Sequence, residues 1–206
     1  MYKIKPRKLN YQYIREQAEK FRQEYVVPTK KIPVPIIDIV EIQLKITPIP
    51  IPGLLRLIDV DGFLSNDLES IYIDQSIYED YRYENRLRFT YAHEVGHLIL
   101  HKQEIQQCKF RNADEWISFR EDMDEEDLFF FEQQAYEFAG RLLVPIDILT
   151  NEISSMKDKI DLFRSNFDHT NGDEMIKEAI SRIICKKFNV SESVISKRIR
   201  NEKIII

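Results

Sequence analysis

Apolar residues recur at three- and four-residue intervals over most of this chain, and the places where the interval changes mark its other elements. Residues 9–27 carry Leu9, Tyr13, Ala18, Phe21 and Tyr25 at helical spacing, which predicts a helix that Pro28 ends. After Pro33-Val34-Pro35, the apolar segment 36–44 reads as a second, short helix. Prolines 48, 50 and 52 with Gly53 mark a connector, where a strand is tolerated only at a sheet edge. Residues 54–60 alternate around Arg56 and Asp59, Asp61-Gly62 signals a turn, and Phe63-Leu64 opens a second extended run. Ser70–Asp74 is a third β-rich segment, so a sheet of about three strands is expected before residue 84. From Glu84 to about Lys102 the pattern is that of one amphipathic helix. A polar, irregular stretch follows to about Asp127, with Trp116 and Phe119 as packing anchors. Helices are then expected over 128–143, stopped by Pro145, and over 146–159. Residues 169–173 read as a turn, and Glu174 begins the terminal helices. No repeat or low-complexity tract interrupts this order, and the expected fold class is α+β, mainly helical.

Composition narrows the class. At 43% apolar and 32% charged, the chain is too apolar for a disordered one, and 206 residues suffice for one domain with a small appendage. Five glycines against eight prolines argue against a loop-rich sandwich or a Gly-rich nucleotide-binding fold. Charge at the N-terminus is followed by no apolar stretch, so no signal peptide is expected, and no apolar run approaches the roughly 18 residues of a membrane helix. Cys108 and Cys185 have no CxxC partner and read as free thiols, which points to the cytoplasm. The net charge of −5 hides an asymmetry: residues 177–206 carry eight Lys/Arg against three Glu, while 121–127 is nearly all acidic. The acidic run is expected to be a solvated loop or helix start, or a rim that attracts a basic segment.

Chemistry concentrates at His93-Glu94-Val95-Gly96-His97. Residues four apart share a helix face, so the two imidazoles can present nitrogens to one cation at roughly 2.0–2.1 Å. Glu94 projects beside that face and can reach a metal-activated water without being a ligand. Gly96 is expected to remove a side chain where a substrate backbone approaches. A catalytic zinc takes three protein ligands and keeps one open position. A histidine ten residues after the first is absent, because Gln103 stands there. His101 is rotated roughly 80° from His93 around the helix, and its expected role is a polar residue near the helix C-terminus, where positive charge is favoured. Glu132 lies on a helix that can cross the first, with Ala135 permitting close approach; Glu137 is the competing carboxylate, rotated about 140° from Glu132.

The run Arg88 to His97, with Leu98–His101 following, resembles the ImmA/IrrE family of zinc metallopeptidases. Its second signature, Glu-x-x-Ala-Asn-x-Phe-Ala-x-x-Leu-Leu-x-Pro, is matched by Glu132, Ala135, Phe138, Ala139, Leu142, Leu143 and Pro145. Ile71–Asp74 stands in the place of the family's edge strand, and Lys187 to Ile199 is similar to its terminal Phe-x-Val-Ser…Arg-Leu pattern. Tyr136 departs from the family, which often has Asn there, and this leaves open what orients the ligand histidines.

The resemblance implies a zincin-like (gluzincin-type) domain over 1–160 and a C-terminal, helix-turn-helix-like lobe over 161–206. Its metal would be one Zn²⁺ on His93, His97 and Glu132, although two imidazoles and a carboxylate also suit Mn²⁺ or Fe²⁺. Glu94 would be general base and acid. A peptide would lie along Ile71, Tyr72 and Ile73, with Tyr72, Tyr78 or His169 as oxyanion donor. The implied activity is endopeptidase cleavage of a cognate helix-turn-helix repressor, with no membrane partner. Residues 174–206 offer the rival reading of a non-catalytic partner- or DNA-binding module, in which Lys197, Arg198 and Arg200 contact phosphates. No base-reading cluster opens its last helix, so direct nucleic-acid binding is not expected.

Overall fold

A computed structural model describes residues 5–27, 32–108, 110, 112–166 and 172–206. Its centre is helix α5 (Glu84–Leu100), which is buried on nearly every side from Leu87 to His97. The sequence suggests an amphipathic helix; its first turn is exposed and only Phe89, Leu98 and Ile99 beyond it are half-buried, because a sheet covers one flank and another long helix the other.

Three strands form the sheet: β1 (Thr47–Ile51), β2 (Gly62–Leu64) and β3 (Ser70–Asp74), in the order β1-β3-β2. β1 runs parallel to β3 and β2 antiparallel. The proline-bearing segment does form a strand, at an edge, where Pro48 and Pro50 need no ladder donor. Residues 54–60 do not form the expected extended run; Leu54–Ile58 is a short helix, α3. Gly53 (φ 76°) and Asp59 (φ 53°) turn the chain into the left-handed region at both ends, and the Asp74 carboxylate accepts the Leu55 N–H at 2.8 Å. That acceptor comes from β3, so no local pattern reveals it.

Helix α1 (Tyr11–Tyr25) starts at Asn10, whose side chain accepts the Tyr13 N–H, and buries Ile14, Ala18 and Phe21. The second predicted helix is real and short: α2 (Ile36–Asp38) continues as a π-helical turn over Ile39–Gln43. A short helix α4 (Gln75–Glu79) leads from β3 towards α5. The stretch expected to be irregular holds α6 (Lys102–Gln107) and α7 (Ala113–Asp122). Asn112 caps α7 and Asp114 and Glu115 fill its first turn, but Trp116 is its only fully buried residue, so no apolar period announces it. Helix α8 (Glu125–Leu143) begins three residues earlier than predicted, because Asp124 accepts the Glu126 and Asp127 N–H groups. The acidic run is thus split: Glu121 and Asp122 end α7, while Asp124 caps α8 and Glu125, Glu126 and Asp127 fill its first turn, where carboxylates suit the macrodipole.

Helices α9 (Ile146–Ser155) and α10 (Lys157–Asn166) divide the predicted 146–159 helix at Met156. His169 and the turn around it, like Pro28, lie outside the described residues. Helices α11 (Gly172–Phe188) and α12 (Glu192–Asn201) follow. Arg198 is no surface phosphate contact: it is enclosed, Nε donates to the Val144 carbonyl at 3.2 Å, and Nη1 meets Glu202 at 2.9 Å. Arg141 and Glu137 complete this buried cluster at 2.6 Å, which ties α12 to α8 and removes Glu137 from any metal role. Cys108 and Cys185 are free and buried. Among the described residues no helix is long and apolar enough to cross a membrane.

Candidate metal centre

α5 and α8 cross where both have small residues. A Cβ on Gly96 would stand 3.0 Å from the Cα and carbonyl oxygen of Ala135. Gly96 therefore serves the helix crossing and not a substrate backbone, and Ala135 supplies the close approach expected of it. This crossing brings Glu132 over the two histidines. His93 Nε2 lies 3.0 Å from His97 Nε2 and 3.1 Å from Glu132 Oε2, and His97 Nε2 lies 3.8 Å from the same oxygen. Four ligands set tetrahedrally at about 2.0–2.1 Å from one ion stand about 3.3 Å apart, so this triangle fits a zinc-sized cation. Two imidazole nitrogens and a carboxylate oxygen are also the donor set such an ion prefers.

The groups are electrostatically interlocked. Burial opposes charge on Glu132, but the hydrogen bond from His93 and the two neighbouring imidazoles hold its carboxyl well below the usual range. Burial likewise opposes a proton on His93, and the Glu132 hydrogen bond with the charges of Glu94, Glu132 and Asp61 outweighs it. His97 moves the other way, chiefly through burial. Glu94 is enclosed, and burial pushes its carboxyl up to about 8. Its Oε2 accepts the Leu64 N–H of β2 at 2.8 Å, which fixes the side chain beside the histidines and leaves the other oxygen for a proton.

A relay behind His97 sets its tautomer. Gln134 Nε2 donates to the Arg7 carbonyl at 2.9 Å, so its Oε1 faces His101 Nε2 at 3.5 Å. Burial holds His101 neutral, down at about 2, and its Nε2–H points to that oxygen. His101 Nδ1 is then an acceptor, and His97 Nδ1, 3.0 Å away, donates to it. The lone pair of His97 is left on Nε2, facing Glu132 and His93. His101 is therefore no cation at a helix end; it is a neutral, fully enclosed ring that positions a ligand. His93 Nδ1 is buried with no hydrogen-bond partner among the described residues, and Tyr136 meets the His93 ring edge-on at 4.7 Å instead.

A cavity of about 390 Å³ opens over these groups. Its β wall is Gly62-Phe63-Leu64 of β2, not Ile71–Ile73. β3 is the central strand, paired on both sides, and Ile71 and Ile73 are fully buried, so Ile71, Tyr72 and Ile73 offer no free edge to a peptide. Of the expected oxyanion donors, Tyr72 and Tyr78 lie outside the cavity lining; Tyr136, which was not among them, lies within it.

A histidine pair on one buried helix and a carboxylate on the helix crossing it form a candidate metal centre, beside a glutamate clamped by an edge strand, on a mainly helical, zincin-like α+β fold. The IrrE N-terminal-like domain (Peptidase_M78) matches residues 77–200, well over half the chain, and the chain belongs to this peptidase family. A search of curated proteins returns no match.

Proposed function

We propose that the protein is a zinc-dependent endopeptidase that cleaves one specific protein in the cytoplasm, a helix-turn-helix transcriptional repressor. The observation that carries the catalytic part is the convergence of His93, His97 and Glu132 beside an enclosed Glu94. When bound, zinc supplies Lewis acidity, which activates a water and polarises a peptide carbonyl. Glu94 takes the proton of the attacking water on its free oxygen and returns it to the leaving amine. Leu64 N–H keeps that carboxylate from swinging away. The His101–Gln134 relay keeps His97 in the ligating tautomer. The repressor as substrate, and the cytoplasmic setting, are supported by the family resemblance and the unpaired cysteines.

Glu94→Gln tests the catalytic reading. Glu94 is not a ligand, so the variant keeps zinc at the wild-type stoichiometry and loses peptide hydrolysis by about 10²–10⁴-fold. An equally active variant would discard the mechanism. Incubation with the helix-turn-helix repressor encoded beside the gene tests the substrate: a single defined cut supports the regulatory reading, and an intact repressor removes it.

A further inference from the structure

The cavity has two unlike ends. α5 and α8 run antiparallel across it, since His93 meets Tyr136 at 4.7 Å while His97 meets Phe131 at 4.3 Å. At the His93 end Arg86 is already engaged, with Nε and Nη2 donating to Asp61 at 2.8 and 2.6 Å. The His97 end is walled by α7 and is aromatic: Phe63 stacks on Trp116 at 4.6 Å, and Phe110 stands edge-on to Phe63 at 6.3 Å.

Among the described residues, one cation reaches into this aromatic end. Arg120 of α7 lines the cavity, and its guanidinium lies 4.9 Å over the Trp116 ring. Its Nε is buried with no hydrogen-bond partner, and no carboxylate pairs with the side chain among the described residues. Its charge reaches His97, which places the guanidinium at that end of the cavity. The side chain is half-buried, but its buried Nε–H without an acceptor is unfavourable unless a ligand completes it. The planar guanidinium matches a carboxylate, and aromatic walls that exclude water strengthen such a pair.

Resting on the metallopeptidase reading, we propose that Arg120 anchors a carboxylate side chain of the substrate, so that the enzyme selects an Asp or Glu adjacent to the scissile bond at the His97 end of the cleft.

The test is a binding measurement on the zinc-loaded full chain, by calorimetry. The probes are C-terminally amidated peptide hydroxamates that differ only in a Glu, Gln or Lys beside the zinc-binding group. One series has that residue before the hydroxamate and one after it; amidation removes a terminal carboxylate as an alternative source of the charge. In one series the Glu ligand binds about 10- to 100-fold more tightly than the Gln ligand, as a charge-assisted pair should. Arg120→Gln abolishes that preference, Arg120→Lys keeps part of it, and Arg120→Glu moves it to the Lys ligand; zinc content checks each variant. Equal affinity for Glu and Gln ligands in both series, or a preference that survives in Arg120→Gln, overturns the proposal and leaves the metal centre intact. A zinc-loaded protein that binds none of the hydroxamates overturns the peptidase reading as well.

Discussion

Replacing His101 with phenylalanine separates the hydrogen bond behind a metal ligand from the packing around it. The His101 ring is fully enclosed and stacks on Phe131 at 4.3 Å and 27°, contacts that a phenyl ring can keep. What disappears is the acceptor 3.0 Å from His97 Nδ1, and with it the reason for His97 to carry its lone pair on Nε2. Loss of such a partner typically lowers metal affinity about 10–100-fold, or about 1.4–2.7 kcal/mol. The metal-free protein suffers too, because the His97 Nδ1–H and Gln134 Oε1 are left buried without partners, at about 1–3 kcal/mol for each such group. A loss of about 2 kcal/mol in a chain of this size lowers Tm by roughly 4–8 °C. Zinc affinity is read by competition with a chelator of known strength, and Tm by thermal unfolding with and without zinc. The reasoning predicts a weaker zinc Kd together with a smaller zinc-induced rise in Tm. A variant with wild-type zinc affinity, whatever its Tm, would refute the relay.

Gly96→Ala sets a Cβ 3.0 Å from the Ala135 backbone, which cannot yield as a side chain would. The helices must part, costing about 1–3 kcal/mol in thermal stability and weakening zinc binding by misplacing Glu132. Arg198→Ala leaves Glu137 and Glu202 short of a partner in an enclosed cluster and is expected to cost about 3–5 kcal/mol in denaturant unfolding. Exposed Arg200→Ala should stay within about 0.5 kcal/mol, and similar losses for both would contradict the buried-cluster account. Burial raises the Asp74 carboxyl, but hydrogen bonds from Ser76 and from the Leu55, Ser76 and Ile77 N–H groups outweigh it and hold it below its usual value. Its stabilisation is therefore complete above the unfolded carboxylate range, about pH 4, and is lost as pH falls through the lower folded value. Asp74→Ala should be less stable than the wild type at pH 7 and should converge with it in acid; a constant gap would refute this.

What the sequence made legible was local or carried by a signature. His93 and His97 share a face because helix geometry alone demands it, and Glu132 was reached through the second signature, with Ala135 marking the crossing. The role of His101 is hidden from helix geometry centred on His93, because its partner is His97, four residues away. That the ring is buried and neutral depends on Phe131 and Gln134 of a different helix. β3 stands where the family has its edge strand, yet in this sheet it is central, and no local pattern distinguishes the two places. The true edge beside the site is three residues long, too short to show alternation. Helix α3 was hidden by an apparent alternation whose ends are turned by positive φ, and α7 by a face with one buried residue. Arg120 went unnoticed for the same reason: nothing in a polar stretch says which of its charges points inward.

The most direct test of the account is a crystal of the zinc-loaded protein measured on both sides of the zinc absorption edge. A single anomalous peak is predicted about 2.0–2.2 Å from His93 Nε2, His97 Nε2 and Glu132 Oε2, with Glu94 outside bonding distance. A peak elsewhere, or one held by the two imidazoles while Glu132 turns away, would contradict it.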